Sequence, residues 1–544
     1  MFPRIKKSGK YQYVQIVENR REDGKTKQRV IATLGRLDRL QESGNIESLV
    51  KSLSQLSNRV ILVLTSSSNP NANAVSIGSP LIFERLWKQL NMSAILNELL
   101  DKRKFTFDIE RAVFLTVLHR LIASGSDRAC DKWRRDYRIN GTDDLELHHL
   151  YRAMAWLSEP LSDQTDAAPF ASRCTKDRIE EELFHRKRDL FSERNIVFFD
   201  TTSLYFEGNG GETIGKKGHS KDHRPDLNQM IVGMTLDDNG RPLCCEMWPG
   251  NSVDVKSLLP VTDRMRRRFS AANCCFVADR GMISKDTMKQ LEEREIPYIL
   301  GVRMRLVNEV KHEALPQAVS FKPIYPEGKK AKDPDPLQVA EVVVNERRYI
   351  VCFNPRQARK DAADRLAIVE KLKTELPKGT KHLIGNKGYR KYLKTTRKAV
   401  TLDNNRIEAE AQFDGKYVLM TNTDWSAEQV ALRYKELWRV EYAFRDIKSI
   451  LETRPIYHQR NETIRGHVFC SFLALVLRHE LDRHLEKSGY NFEWADIKQD
   501  INNLQEVTII ENDQTLVVRT ECIGCCGKVF QSVGVAIPPT IREL

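Results

Sequence analysis

The chain has 544 residues, with 87 lysines and arginines against 74 aspartates and glutamates, so its formal net charge is +13. This length exceeds one compact core and predicts two to four domains. Hydrophobic residues make up 41% and charged residues 30%, which excludes a mostly disordered chain and a membrane protein. The longest apolar runs stop at about ten residues, whereas a membrane-spanning helix needs roughly twenty. Because the first residues also lack a secretory signal, we expect a cytoplasmic protein, and the basic excess favours a polyanionic partner.

The eleven cysteines are an odd number and do not form a pattern typical of a disulfide framework. Cys522, Cys525 and Cys526 form a CxxCC cluster that could bind zinc. No second cysteine or histidine pair follows at zinc-finger spacing, so zinc binding is the weaker interpretation. The role of this cluster stays open.

The N-terminal part is predicted to contain a basic β-hairpin, because two alternating segments at 11–18 and 26–34 flank an Asp-Gly turn at 23–24. A polar helix over 37–56 and a Ser- and Asn-rich linker over 65–78 follow. At Ser79-Pro80 the sequence predicts an N-cap and a first helical residue. We expect 1–64 to form the hairpin and helix, and 79–190 to form an all-helical domain that binds DNA. An ordinary helical domain without DNA contact is the alternative.

The pattern changes from helix to strand after residue 194. The apolar run 195–199 is followed by Asp200, and the run 274–278 is followed by Asp279. We expect each aspartate at the end of a central strand, where α/β sheets present functional groups; a turn-forming role is the alternative for each. The remaining predicted regions are a catalytic core over 191–302, a β-rich insertion over 303–425, a second core segment over 426–490, and a C-terminal region of unknown role over 491–544.

The second core segment begins with a well-specified helix. Ser426 and Gln429 have the spacing of a capping box. The helix is predicted to run to about residue 452, because Arg454-Pro455 ends it.

A third acidic residue, Glu441, lies on this predicted helix. At about 100° per residue, Glu441 and Lys448 differ by about 700°, so both share a face with Tyr434. A charged residue on a face with large apolar groups is expected to be paired or to bind a metal. A surface ion pair between Glu441 and Arg445 is the alternative.

Two aspartates and a glutamate at one point would bind hard divalent cations through oxygen, and Mg²⁺ is the natural choice. Two such ions about 3.5–4 Å apart can activate an attacking oxygen and stabilise a departing one in phosphodiester displacement. Lys448 could reach a phosphate oxygen near the scissile bond. A dense basic stretch, for which a mobile surface loop is the alternative, follows the first core strand and places positive charge where a DNA backbone would approach. It includes Lys216, Lys217, Lys221 and Arg224.

Taken together, these residues resemble an insertion-sequence DDE transposase of the IS-four type, with a Tn-five-like plan. The resemblance spans roughly residues 195–470. Its motifs are DTTSLYF at 200–206, HSKDHRP at 219–225, PGNS at 249–252, ADRG at 278–281, Tyr434-x6-Glu441-x6-Lys448, and RPIYH at 454–458.

The resemblance implies an α/β fold: an RNase H-like mixed sheet with flanking helices, interrupted by a β-rich insertion and preceded by the basic hairpin and the all-helical domain. It implies that Asp200, Asp279 and Glu441 bind two Mg²⁺ ions, for which Mn²⁺ would substitute, and that Tyr434 and Lys448 take part in catalysis. The family signature has an arginine where this chain has Leu437, and Arg445 is the better substitute. The implied DNA-binding residues are Lys216, Lys217, Lys221, Arg224, Arg280, Arg445 and Lys448.

The implied function is a transposase that binds the terminal inverted repeats of its element and catalyses strand cleavage and strand transfer. Its partners would be transposon ends and target DNA, bound by a homodimer in a synaptic complex, with no membrane association. On DNA the protein would lie in the nucleoid. The alternatives are a structure-specific endonuclease without strand transfer and a non-catalytic DNA-binding repressor.

Overall fold

A computed structural model of the chain describes residues 2–22, 25–55, 71–101, 103–167, 172–186, 196–252, 257–269, 274–325, 335–378, 383, 385–396, 400–511 and 514–543. The predicted turn at 23–24 and residues 65–70 of the predicted linker lie outside this set. The described residues form two compact units. The first comprises Met1–Ala74, Glu506–Arg519 and Pro538–Leu544, and the second comprises Val75–Gln505 and Thr520–Ile537.

The strands are numbered in chain order. They are β1 (Phe2–Ser8), β2 (Tyr11–Glu22), β3 (Lys25–Arg36), β4 (Asn71–Ser76), β5 (Ile196–Tyr205), β6 (Gln229–Asp237), β7 (Pro242–Pro249), β8 (Cys275–Ala278), β9 (Tyr298–Val302), β10 (Lys322–Ile324), β11 (Leu337–Val344), β12 (Arg347–Phe353), β13 (Leu393–Thr395), β14 (Val400–Leu402), β15 (Lys416–Thr421), β16 (Gln505–Glu511), β17 (Gln514–Arg519) and β18 (Ile541–Glu543).

The α-helices are numbered in the same way. They are α1 (Leu37–Glu42), α2 (Asn45–Gln55), α3 (Gly78–Gln89), α4 (Met92–Leu100), α5 (Ile109–Ile122), α6 (Asp127–Trp133), α7 (Leu147–Leu157), α8 (Thr175–Arg186), α9 (Leu258–Arg268), α10 (Lys285–Glu293), α11 (Leu315–Gln317), α12 (Pro355–Glu375), α13 (Lys387–Arg390), α14 (Asn404–Ala411), α15 (Ala427–Lys435), α16 (Trp438–Arg445), α17 (Asn461–Lys487), α18 (Trp494–Asn502) and α19 (Cys526–Val533). None of these described helices is both long enough and apolar enough to cross a bilayer.

The first unit differs from the predicted hairpin and helix. Strands β1, β2 and β3 form one antiparallel sheet, and β1 was not predicted. The prediction of one continuous helix over 37–56 was wrong. Helices α1 and α2 are separated at Gly44, whose φ of +63° a helix cannot accommodate. Residues 71–76 are not linker but strand β4, which pairs with β16 in the sheet β18-β17-β16-β4. Strand pairing over a long sequence separation overrides the local composition here.

The second unit is built around a mixed sheet in the order β10-β11-β12-β15-β9-β8-β5-β6-β7. Strand β8 is parallel to both β5 and β9, whereas β6 is antiparallel to β5 and to β7. Strands from the predicted insertion, β10, β11, β12 and β15, extend this same sheet on the far side of β9. The sequence also predicts a basic, Pro-containing loop over 326–336, and its residues 326–334 lie outside the described residues.

The two faces of this sheet pack against different helices. On β5, Ile196, Phe198 and Leu204 belong to one hydrophobic cluster with buried residues of α15, α16 and α17. Val197 and Phe199 belong to a second cluster with residues of α9 and α10. Successive side chains of a strand point to opposite faces, so this alternation defines a first face under α15–α17 and a second face under α9 and α10.

The helices between residues 78 and 186 pack on the first cluster together with α17. Helix α17 is buried along most of its length. The backbone of Met154 in α7 approaches Gly466 of α17 so closely that a Cβ added at position 466 would lie 2.0 Å from the carbonyl oxygen of Met154. The proposed N-cap at Ser79 was wrong: α3 starts at Gly78, and the Ser79 hydroxyl donates to Asn502 Oδ1 at 2.8 Å. A tertiary hydrogen bond replaces the local cap.

A buried ionic network joins α8 to α9. The guanidinium of Arg268 donates to Glu181 at 2.8 Å and to Glu180 at 2.9 Å, and it pairs with Asp177 at 3.2 Å. Lys176 pairs with the same Asp177 at 3.0 Å. Since these charges are almost fully removed from water, removal of one partner would leave the others uncompensated.

Candidate active site beside strands β5 and β8

Asp200 lies within β5, and Asp279 directly follows the last residue of the neighbouring parallel strand β8. Phe199 of β5 pairs with Ala278 of β8, so the next residue of each strand is an aspartate. Asp200 is not at a strand end as predicted, because β6 continues to pair with β5 as far as Tyr205. Asp200 directly follows Phe199, which is the last residue of β5 that pairs with β8. Alternation from Phe198 and Val277, both in the first cluster, directs the two carboxylates to the face under α15 and α16.

Tyr434 of α15 binds one of these carboxylates. Its hydroxyl donates to Asp279 Oδ1 at 3.1 Å. Burial and the neighbouring Asp279 carboxylate raise the pKa of Tyr434, which therefore stays protonated as a donor. Gly301 of β9 makes room for this hydroxyl, because a Cβ at that position would lie 2.3 Å from the Tyr434 oxygen. A glycine inside a buried strand is typical of such a close approach.

The helix that carries Glu441 is not continuous from residue 426 to 452, and that prediction was wrong. The capping box of Ser426 and Gln429 is confirmed, with both hydrogen bonds formed. However, Glu436 and Leu437 form i→i−3 hydrogen bonds between α15 and α16, and a π-helix occupies Asp446–Ile450. Tight and wide turns rotate the chain by more and by less than 100° per residue. A uniform rotation of 100° per residue therefore does not apply across residues 434–448.

Glu441 lies on α16, which packs on β5 and β6. Arg439 of the same helix donates to the carbonyl oxygen of Asp238 at 2.7 Å and fixes α16 on the β6–β7 hairpin. Glu441 itself is exposed, and it forms no ion pair within the described residues. The alternative of a Glu441–Arg445 surface pair is thus not formed in this part of the chain. Arg445 is also exposed and lies 5.3 Å over the ring of Tyr442.

Lys448 lies in the π-helix and is held by a residue of the HSKDHRP motif to which the sequence analysis assigned no role. Its ammonium donates to Asp222 Oδ1 at 2.8 Å. Arg454 Nη1 is 3.4 Å from the same oxygen. Burial lowers the pKa of Lys448, and the Asp222 carboxylate counteracts part of that effect. π-Turns are frequent at functional sites, where they widen the helix around a particular side chain.

The predicted DNA-binding side chains have different environments. Lys221 donates to the carbonyl and hydroxyl oxygens of Thr201 at 2.7 and 2.9 Å, and its ammonium is 3.9 Å from Asp200. Arg224 pairs with Asp226 and lies 5.6 Å from the ring of Tyr205. Three further cations are exposed at the surface. They are Lys216, Lys217 and Arg280.

The donor set fits a hard divalent cation. Asp200 and Asp279 present carboxylate oxygens on one face, Glu441 is an exposed carboxylate on α16, the helix that packs on β5, and neither thiolate nor imidazole is part of the set. Oxygen-only sites favour Mg²⁺, Mn²⁺ or Ca²⁺ over zinc or copper. These three residues would hold such a cation.

A different group of potential ligands is buried elsewhere in the second unit. Ligand atoms of Asp127, His458 and His467 lie within 4.8 Å of one another. The guanidinium of Arg120 is 2.8 Å from His467 Nδ1, and the other ring nitrogen is 3.1 Å from the carbonyl oxygen of Thr453. Both nitrogens of His467 are therefore used by the protein. This group is an ion-paired cluster and does not fit a metal as arranged.

The cysteine cluster lies at the start of α19. Cys525 and Cys526 are buried, and Cys522 is partly buried. Burial raises the pKa of Cys525 to about 12, and its backbone N–H donates to Asp500 at 2.7 Å. These cysteines are not part of a ligand group within the described residues.

Sequence reasoning missed Asp222, Arg454 and Gly301 as parts of the site. Asp222 is an acidic residue inside a strongly basic stretch, and Gly301 interrupts the apolar run before Val302. Both features could have been used as signals. An aspartate among cations indicates an ion pair, and a glycine within a strand indicates that another group approaches the backbone closely. Arg454 was interpreted as the end of a helix and as the first residue of the RPIYH motif, without a role at the site.

Two family models match the chain. The model described as "Transposase DDE domain" matches residues 191–477, which is more than half of the chain. The protein therefore belongs to the DDE transposase family. The model described as "IS1634 family transposase, N-terminal domain" matches residues 3–68, so the chain is an insertion-sequence transposase. A comparison with curated proteins gives no match.

Proposed function

We propose that this transposase binds the terminal inverted repeats of its own element and catalyses strand cleavage and strand transfer with Mg²⁺. The observation that carries the proposal is the pairing of Phe199 with Ala278, which sets Asp200 and Asp279 side by side beneath the helix of Glu441. Family membership supports DNA as the partner and a divalent metal as the cofactor.

The chain's own residues have distinct tasks in this proposal. Asp200, Asp279 and Glu441 bind the cations, and Tyr434 keeps Asp279 oriented through its 3.1 Å hydrogen bond. Divalent cations supply activation of the attacking oxygen and stabilisation of the leaving one. Lys448 binds a phosphate near the scissile bond, and Lys221 balances the negative charge at Asp200. Positioning and charge neutralisation carry the rate, because carboxylates that bind metal cannot act as ordinary bases.

The core that we propose is RNase H-like, with the IS-four-type arrangement. The antiparallel strands β7-β6-β5, followed by the parallel strands β8 and β9, support this plan. Because two ends of an element must be joined, we also propose a homodimer in the synaptic complex. The exposed cations Lys216, Lys217, Arg280 and Arg445 would contact the DNA backbone.

The test uses a duplex that carries the inverted repeat flanking the gene. Asp200→Asn, Asp279→Asn and Glu441→Gln should each abolish strand cleavage with Mg²⁺ and retain end binding. Glu428→Gln removes an exposed carboxylate from α15 and serves as the matched control, with cleavage unchanged. Full cleavage by any of the three variants would contradict the assignment.

A second assay separates transposition from simple nuclease activity. Pre-cleaved ends should be joined to a target plasmid by the wild-type protein. A protein that cuts and never joins is the alternative endonuclease, and one that binds without cutting is the alternative repressor.

A further inference from the structure

Lys448 and Arg454 share one buried carboxylate. Asp222 Oδ1 lies 2.8 Å from the Lys448 ammonium and 3.4 Å from Arg454 Nη1. The Asp222 side chain is 5% exposed, whereas those of Lys448 and Arg454 are 13% and 26% exposed. The carboxylate therefore lies behind the two cations, and the cations are the groups that solvent or a ligand can reach.

This arrangement is a poor device for stability. Asp222 Oδ2 and Arg454 Nε are buried and make no hydrogen bond within the described residues. Each buried polar atom without a partner costs free energy, and a buried charge costs more. The burial of Asp222 is therefore better explained by the ligand that the two cations bind than by stability, because Asp222 orients both cations.

Both ends of the cluster are anchored on β5, the strand of Asp200. The loop that carries Asp222 is fixed by the Lys221 N–H, which donates to the Ser203 hydroxyl at 2.9 Å. The segment after Arg454 is fixed where the Ile456 N–H donates to the Tyr205 carbonyl at 3.1 Å. The positions of Asp222 and Arg454 relative to Asp200 are thus set by the same strand, and Asp222 in turn holds Lys448.

The charge of the cluster matches one phosphodiester. Lys448 and Arg454 carry two positive charges, Asp222 compensates one, and one remains. An ammonium and a guanidinium held side by side supply several directed donors, which suits a tetrahedral phosphate better than either cation alone.

We infer that Lys448 and Arg454 together bind one backbone phosphate of the DNA close to the cleaved bond, and that Asp222 is the positioning residue that holds both. This inference rests on the proposed function and adds Arg454 and Asp222 to it. It assigns to Arg454 the place beside Lys448 that the resemblance implied for Arg445.

The test is a double-mutant cycle in which one change removes a side chain of the protein and the other neutralises one phosphate of the DNA. End duplexes with a single neutral methylphosphonate at successive positions are titrated with protein in Ca²⁺, and intact substrate is verified on a gel. For the wild type, one position should weaken binding about tenfold, the loss expected for a charge-assisted contact. For Arg454→Ala, the same methylphosphonate should cause less than about a twofold further loss. The control Arg356→Ala removes an exposed arginine from α12 and should retain the full penalty.

Asp222→Asn tests the positioning role. It should weaken binding about tenfold and reduce the methylphosphonate penalty, because the two cations then repel each other without a fixed orientation. Glu212→Gln, which removes an exposed carboxylate from the same segment between β5 and β6, is the matched control and should stay within about twofold. Tighter binding by Asp222→Asn would overturn the inference, since Asp222 would then compete with the phosphate.

The Arg454→Ala cycle decides the inference even if Asp222→Asn does not fold. If every methylphosphonate weakens DNA binding by Arg454→Ala as much as it weakens binding by the wild type, the shared phosphate site is overturned. If the wild type still cleaves its ends in Mg²⁺, that result leaves the proposed function standing. Absence of wild-type end binding and cleavage would instead remove both.

Discussion

The contact between Gly301 and Tyr434 gives the sharpest prediction for the candidate site. In Gly301→Ala the new Cβ would lie 2.3 Å from the Tyr434 oxygen and 3.1 Å from its Cζ. The hydroxyl must retreat by about 1 Å to reach ordinary van der Waals contact. Its 3.1 Å hydrogen bond to Asp279 then lengthens beyond bonding distance. The strain and the lost bond together should destabilise the protein by about 3–5 kcal/mol.

Tyr434→Phe removes the atom that clashes. We expect this variant alone to lose about 1.5–3 kcal/mol, the value of a hydrogen bond to a charged group. In the double variant the ring Cζ is 3.1 Å and the backbone nitrogen of Arg280 is 3.2 Å from the new Cβ, so both contacts require only shifts of a few tenths of an ångström. Gly301→Ala should therefore cost less than about 1 kcal/mol in the Tyr434→Phe background.

The assay is the free energy of unfolding from urea denaturation of the wild type, both single variants and the double variant, with end cleavage measured in parallel. Coupling of at least about 2–4 kcal/mol between the two positions supports the account. Additive effects, or a Gly301→Ala variant as stable and active as the wild type, would refute the reasoning.

Two further predictions concern stability. Burial lowers the pKa of His467 to about 3 and those of His119 and His479 to about 4, whereas an unfolded histidine titrates near 6.5. Between these values the unfolded chain binds protons that the folded protein does not, so the free energy of unfolding should fall on acidification from pH 6.5 to pH 4. His467→Gln should make the dependence of the free energy of unfolding on pH shallower by about 1.4 kcal/mol per pH unit. An unchanged dependence would contradict the assignment. Arg268→Met should lower the free energy of unfolding by about 3–5 kcal/mol, because the buried Glu180 would lose its cationic partner at 2.9 Å and keep only the longer pair with Lys176 at 3.3 Å, while the buried Glu181 would lose a partner at 2.8 Å. A neutral effect in thermal or urea denaturation would contradict this role.

Local patterns predicted the parts of the site that depend on local rules. An apolar run of four or five residues before an aspartate indicated the strands of Asp200 and Asp279, and the capping box indicated the start of α15. Short-range hydrogen bonds and burial determine such features, so sequence spacing alone carries the signal.

Features that depend on distant residues could not be predicted in this way. Asp222 meets Lys448 across 226 positions, and Tyr434 meets Asp279 across 155. The tight turn at Glu436 and Leu437 has neither proline nor glycine as a signal. Strands β10–β12 and β15 join the central sheet through pairings that composition does not specify.

The central claim is that Asp200, Asp279 and Glu441 bind the divalent cations that cleavage requires. Crystals of the protein with end DNA and Mn²⁺, measured at the manganese absorption edge, test it most directly. The account predicts anomalous peaks about 2.0–2.3 Å from carboxylate oxygens of all three residues. A peak that lacks Glu441 among its ligands, or one that lies instead among Asp127, His458 and His467, would contradict it.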